Sequence, residues 1–185
     1  MNVNNITFKK PGEFEETRFE KIHNVIFDNS NLASTVVAKE IAFLVRSKQE
    51  KNEKCILGLA TGSSPVKVYE ELVRMHKEDG LSFVNVITFN LDEYLPMEKN
   101  DIESYHFFMH EHLFNHIDIL PQNIHIPDGT ISSDEIYQYC VDYELMIKDV
   151  GGLDFQLLGI GRTGHVGFNE PGSHPATSVS YTHLT

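Results

Sequence analysis

Apolar positions along the chain alternate between two rhythms, a helical spacing and short unbroken runs. From Leu32 the spacing is helical, with Ala33, Val37, Ile41 and Leu44 on one stripe behind the capping candidates Asn29 and Ser30. Cys55 to Ala60 is a short apolar run that predicts a strand. Thr61-Gly62-Ser63-Ser64-Pro65 breaks it and opens a helix, with Pro65 suited to the first turn and Tyr69, Leu72, Val73 and His76 on one face. The alternation repeats with a strand over Phe83 to Asn90, a loop through Pro96, and a helix from about Ser104 carrying Phe108, Met109, His112 and Leu113. In a third unit Ser132 and Glu135 form a capping-box signature ahead of a stripe of Ile136, Tyr139, Cys140, Tyr143 and Ile147. Leu153 to Ile160 is the next strand. Strands that are apolar nearly throughout and alternate with helices predict an α/β fold, a parallel sheet flanked by helices on both faces. Ligands of such a sheet bind beyond the carboxyl ends of its strands.

Composition narrows the setting. The chain has 185 residues, 41% of them hydrophobic, enough for one globular domain with a sizeable core. Residues 1–28, with Pro11, Gly12 and several charges, read as an amino-terminal extension, and 29–177 as the α/β domain. No apolar run approaches the roughly 20 residues that span a bilayer, and the first residues lack a secretory core, so a cytoplasmic location is expected with no membrane partner. The two cysteines, Cys55 and Cys140, sit in apolar runs and suit reduced, buried thiols. A formal net charge of −12 without a basic cluster repels polyanions and speaks against nucleic acid. A small phosphorylated ligand remains compatible, because backbone N–H groups and hydroxyls can hold it locally.

Three loops at predicted strand ends could carry chemistry. In Gly58-Leu-Ala-Thr-Gly-Ser-Ser-Pro65 the glycines let the backbone approach an anion, and Thr61, Gly62, Ser63 and Ser64 precede a helix amino terminus. The Gly-Lys-Ser/Thr ending of a nucleotide-triphosphate loop is absent; on spacing alone the segment is equally a strand-to-helix turn with Ser64 as N-cap. Asn90-Leu-Asp-Glu-Tyr94 sets two carboxylates at the end of an apolar strand. Successive residues there point in opposite directions, so one of Asp92 and Glu93 is expected to face the cleft while the other anchors the loop; taken alone, a solvated acidic turn is the more common explanation of such a pair. In Gly159-Ile-Gly-Arg-Thr-Gly-His-Val-Gly-Phe-Asn-Glu-Pro171, glycines, His165 and Glu170 crowd one segment. Its G-x-G-x-x-G spacing imitates a dinucleotide fingerprint, yet Gly167 and Pro171 interrupt the helix such a fingerprint must open. His165 is there either a catalytic group or a structural histidine in a glycine-rich turn.

The histidines of Tyr105 to His112 include His106 and His110 one helical turn apart. The HExxH order is missing and His112 lies on the apolar side, so they read as core-edge and surface residues and no metal site is assigned.

Together, Leu-Gly-Leu-Ala-Thr-Gly-Ser-Ser-Pro, Thr-Phe-Asn-Leu-Asp-Glu-Tyr and Gly-His-Val-Gly-Phe-Asn-Glu-Pro, in that order, resemble the glucosamine-6-phosphate deaminase family. Glu103-Ser-Tyr-His and Leu-Phe-Asn-His-Ile-Asp-Ile extend the likeness, which runs from about Leu32 to Pro171. The resemblance implies a modified Rossmann-like sheet and conversion of glucosamine 6-phosphate to fructose 6-phosphate and ammonia, with no redox cofactor and no required metal. It implies that Asp92 moves a proton from C2 to C1 of the open-chain sugar, and that His165, supported by Glu170, assists ring opening. Thr61, Gly62, Ser63 and Ser64 would hold the phosphate, with Glu93, Thr163 and Gly164 in supporting positions. A phosphorylated amino sugar is then the partner, and the full-length form a homo-oligomer.

The chain departs from that pattern twice. The family carries an aspartate two residues before the histidine, where this chain has Thr163, a hydroxyl that can bond the imidazole without stabilising its charged form. Relatives also continue well past Asn-Glu-Pro, so the resemblance is to an amino-terminal part, and residues 178–185 read as a tail foreign to the family's continuation. A related phosphosugar isomerase or a 6-phosphogluconolactonase-like hydrolase shares the sheet and phosphate loop, and a sugar-phosphate sensor domain would use the same scaffold without turnover.

Overall fold

A computed structural model describes residues 24–169 and 180–183 of the chain. Helix α1 (Ser30–Glu50) starts where the Asn29 side chain accepts the Leu32 N–H at 3.0 Å. Its buried positions are Ser34, Ala38, Ile41, Ala42 and Val45, a face turned slightly from the expected stripe. Ser34, Ala38 and Ala42 stand four residues apart, and small side chains there let the helix settle close against its neighbours. The larger Val37 and Leu44 pack at the flank.

Strand β1 (Cys55–Leu59) is buried at every position. Helix α2 (Val66–Asp79) follows from Pro65 with no side-chain cap, buries Val68, Tyr69, Leu72 and Met75, and stops at Gly80, whose φ of 67° is left-handed. Strand β2 (Val86–Asn90) begins later than the apolar run suggests, because the Val86 N–H closes a turn on the Phe83 carbonyl at 2.9 Å.

The segment expected as a loop through Pro96 instead starts with strand β3 (Asp92–Leu95). Helix α3 (Tyr105–His112) follows, its Phe107 N–H accepted by the Ser104 hydroxyl at 2.9 Å. Strand β4 (Ile124–His125) precedes helix α4 (Ile136–Asp149). The capping box ahead of α4 does not form: the Ser132 hydroxyl donates to the Glu135 carboxylate at 2.6 Å, so the two side chains bond each other and not the backbone. The expected strand over Leu153 to Ile160 keeps its ladder only as β5 (Phe155–Gln156). After Leu157 donates to the Gly58 carbonyl the chain leaves the sheet, and Leu158 and Ile160 are exposed. Strand β6 (Ser180–His183) pairs in parallel with β3, Asp92 opposite Ser180 and Leu95 opposite His183.

The main sheet is parallel throughout, in the order β4-β2-β1-β5. Cys55, Leu57, Leu59 and Val86 face one side and pack with α1, α2 and Met109 of α3. Ile56 and Phe89 face the other, against Tyr143 of α4. Helices therefore cover both faces. The Tyr143 hydroxyl lies 3.0 Å from the carbonyls of both Asn90 and His125, a shared hydrogen bond that ties α4 to the ends of β2 and β4. The chain winds outward from β1 through β2 to β4, then returns to place β5 on the far side of β1. The strand order thus reverses beside β1, the point where an open α/β sheet leaves a crevice beyond its strand ends. Among the described residues no helix is long and apolar enough to cross a membrane.

Leu57→Ala, which empties space between β1 and two helices, is expected to cost about 2–5 kcal/mol of stability. Tyr143→Phe, which removes the donor shared by two carbonyls, should cost about 1–2 kcal/mol. Urea unfolding midpoints at unchanged slope measure both; a Tyr143→Phe midpoint equal to wild type would remove the tie between α4 and the strand ends.

Candidate active site

The crevice beyond the strand ends holds a cavity of about 370 Å³. The turn after β1 lines it with Thr61, Gly62, Ser63 and Ser64. Gly62 has a φ of 95°, a backbone shape side chains disfavour, and the turn leads directly into α2, whose first N–H groups no side chain caps. Gly62, Ser63 and Ser64 are exposed, so hydroxyls and backbone amides are presented together at the positive end of a helix.

Asp92, at the start of β3, lines the same cavity while only 4% exposed. Burial, and then the charge of Glu93, push its carboxyl up to about 7. Glu93 is 2% exposed and turns the other way, accepting the backbone N–H groups of Tyr94 at 2.9 Å and of Tyr105 and His106 at 3.0 Å. Gly167 closes over Asp92: a Cβ at that residue, whose φ is 58°, would stand 3.0 Å from the Asp92 Oδ2.

The loop after β5 contributes His165, Gly161 and Arg162 to the lining. It folds back on itself, the Gly161 N–H donating to the His165 carbonyl at 2.8 Å and the Gly164 N–H to the Gly161 carbonyl at 3.0 Å. The imidazole lies across Gly161 so closely that a Cβ there would meet its Cε1 at 2.0 Å, which is why this position needs glycine. The Thr163 hydroxyl lies 2.9 Å from His165 Nδ1 and holds the ring from the side. Glu170 lies outside the described residues.

Tyr105 and Arg162 are among the lining residues to which the sequence assigns no site role. Tyr105, the first residue of α3, belongs to the segment that extends the family likeness; its hydroxyl donates to that of Tyr94 at 3.2 Å and is hydrogen-bonded to Thr61. Its ring packs with those of Tyr94 and Phe168, centroids 5.0 and 5.8 Å away. The readable signal is its place just inside a serine-capped helix that follows the carboxylate strand. Arg162 lines the pocket from among the loop glycines, the one lysine or arginine in that lining. The His106 and His110 rings lie tilted against each other with centroids 4.5 Å apart; among the described residues no group of three or more histidine, cysteine or carboxylate side chains is placed to hold a metal ion.

Residues 28–172 match the family model described as glucosamine-6-phosphate isomerases/6-phosphogluconolactonase. A glucosamine-6-phosphate deaminase-like protein of Bacteroides thetaiotaomicron is 50% identical over 157 residues, 85% of this chain and 24% of that protein. Glucosamine-6-phosphate deaminase 2 of Giardia intestinalis is 49% identical over 144 residues, 78% of this chain and 52% of that one. A solved monomeric glucosamine-6-phosphate deaminase superposes with a TM-score of 0.74 at 40% identity, over 80% of this chain and 59% of its own. The chain thus spans between a quarter and about three fifths of the length of these relatives. With its parallel sheet, its crevice at the strand reversal and the match over most of its length, the chain belongs to the glucosamine-6-phosphate isomerase/6-phosphogluconolactonase family.

Proposed function

We propose that this chain carries the isomerising deamination of glucosamine 6-phosphate to fructose 6-phosphate and ammonia. The observation that carries the reading is one cavity lined by an anion-binding turn, a buried carboxyl that titrates near neutrality, and a histidine held against a bare backbone. The phosphate is placed on the Thr61–Ser64 turn at the head of α2, so that binding energy far from the reacting carbons orients them. His165 transfers the proton that opens the ring, with Thr163 fixing the imidazole and Glu170 given a supporting role by the family resemblance. Asp92 then takes the proton from C2, and the electron pair passes toward C1 and its oxygen. Protonation of the C1 oxygen gives an enolamine; return of the Asp92 proton to C1 with loss of a proton from the nitrogen leaves an imine at C2, and water adds there to release ammonia and form the ketone. A carboxyl near 7 suits both halves of this transfer, being base enough to accept the proton and acid enough to return it. A lactone-hydrolysing relative would need no group to carry a proton between two carbons and would release no ammonia.

Supplied with glucosamine 6-phosphate, the chain is expected to form ammonia and fructose 6-phosphate in equal amounts, and Asp92→Asn to lower that rate by about a thousandfold or more while phosphate-ester binding changes little. Turnover retained in Asp92→Asn would show that another group is the base. Because Asp92 must be ionised to act, the rate should fall about tenfold per pH unit below about 7. Gly161→Ala, which forces the imidazole from its seat, should reduce ring opening by about a hundredfold with the fold intact, as judged by its circular dichroism.

The same carboxyl has a stability consequence with a defined sign. Its folded titration near 7 lies above the ordinary carboxylate value, so between about pH 4 and 7 the folded chain keeps a proton the unfolded chain has released. Stability therefore falls as pH rises through that window. Asp92→Asn should be more stable than wild type at pH 8 by roughly 2–4 kcal/mol and nearly equal at pH 4, measured by denaturant unfolding.

A further inference from the structure

We infer that Glu93 is the positioning residue of this site: its buried carboxylate pins the amino terminus of α3 to β3 and so sets Tyr105 beside Asp92 in the cavity lining. The inference rests on the reading of Asp92 as the base. The first amides of a helix have no partner within it. In α3 the amides of Tyr105 and His106 both donate to Glu93, at 3.0 Å each, and the amide of Phe107 donates to the Ser104 hydroxyl at 2.9 Å. The Tyr94 amide, on the strand itself, also donates to Glu93 at 2.9 Å. One side chain thus gathers three backbone donors from two elements, and its negative charge meets the positive end of the helix.

Strand alternation makes this arrangement useful to the site. Asp92 points into the cavity because Glu93, one residue on, points to the helix. Tyr105 is the residue whose amide Glu93 holds, and its hydroxyl reaches Tyr94 and Thr61, joining the base strand to the anion-binding turn. The ionisable groups around Asp92 are Glu93 and Tyr94 on its own strand, Tyr105 from α3, Tyr143 from α4, and Arg162 and His165 from the loop after β5. Among these it is the Glu93 charge that adds to burial in raising the Asp92 carboxyl. The pin therefore has two effects, a mechanical one on Tyr105 and an electrostatic one on Asp92.

Two substrate-free measurements test it. In the wild-type chain, hydrogen exchange at the Tyr105 and His106 amides should be at least about tenfold slower than at Val66 and Lys67, which open α2 without a side-chain cap. Equal exchange would overturn the pin without any variant being made. Carbon-detected titration of the Asp92 carboxyl should show a midpoint near 7 that falls by about 1 pH unit in Glu93→Gln. An unmoved midpoint in a natively folded Glu93→Gln would overturn the electrostatic half. Glu93→Asp keeps the charge and shortens the reach, so it should hold the midpoint near wild type and lose amide protection at Tyr105. Because no substrate is used, these results can stand while deamination fails, which would sink the deaminase reading and leave the role of Glu93 intact; the reverse combination would do the opposite.

Discussion

The level parallel pairing of β1 with β2, from Cys55 against Val86 to Leu59 against Asn90, is the constraint on which the rest of the molecule depends. Because the two strands end at the same height, the turn after one and the carboxylates after the other emerge side by side. A register slip of one residue would move Asp92 and exchange the sheet faces that bury Leu57 and Ile56. Apolar side chains on both faces, packed against α1 and α2 on one and α4 on the other, make that slip costly. The groups that line the cavity are thus held by the burial of residues outside its lining.

Much of this was legible along the chain. The helices, β1, β2 and the two-sided sheet follow from where apolar residues fall, and glycine and hydroxyl residues marked the turn after β1. What escaped has physical reasons. Strand β4 is two residues long and has no period to detect, and β5 lies within an apolar run whose latter half is exposed. Hydrophobic character predicts burial, but the ladder ends where backbone partners end. Helix α1 buries Ser34, Ala38 and Ala42 because close approach rewards small side chains, which a search for large apolar residues overlooks. Tyr105 has the look of a core aromatic and lines the pocket only because its helix starts at the sheet edge. Pairing of β3 with β6 joins residues nearly ninety positions apart, a relation no local pattern encodes.

The site combines features that would be unfavourable singly. Two adjacent carboxylates are almost fully buried, an arrangement that burial and mutual repulsion both oppose. Glu93 is compensated by three backbone donors, and Asp92 is left with a shifted protonation. Gly161 and Gly167 supply the room that makes such crowding feasible, one beneath the imidazole and one against the Asp92 carboxyl. The Thr163 hydroxyl keeps the imidazole oriented while adding no further negative charge to this acidic corner.

The aromatic trio of Tyr94, Tyr105 and Phe168 also gives the protein a built-in optical reporter. The chain contains no tryptophan, so tyrosine dominates its ultraviolet emission, unobscured by a brighter fluorophore. Two of those phenols touch each other, and one of them borders the pocket beside an ionisable carboxyl. Phenol emission is quenched by neighbouring carboxylates and hydrogen-bond acceptors, so a ligand that alters the surroundings of Tyr105 would alter the light the unmodified polypeptide gives off, without a dye attached.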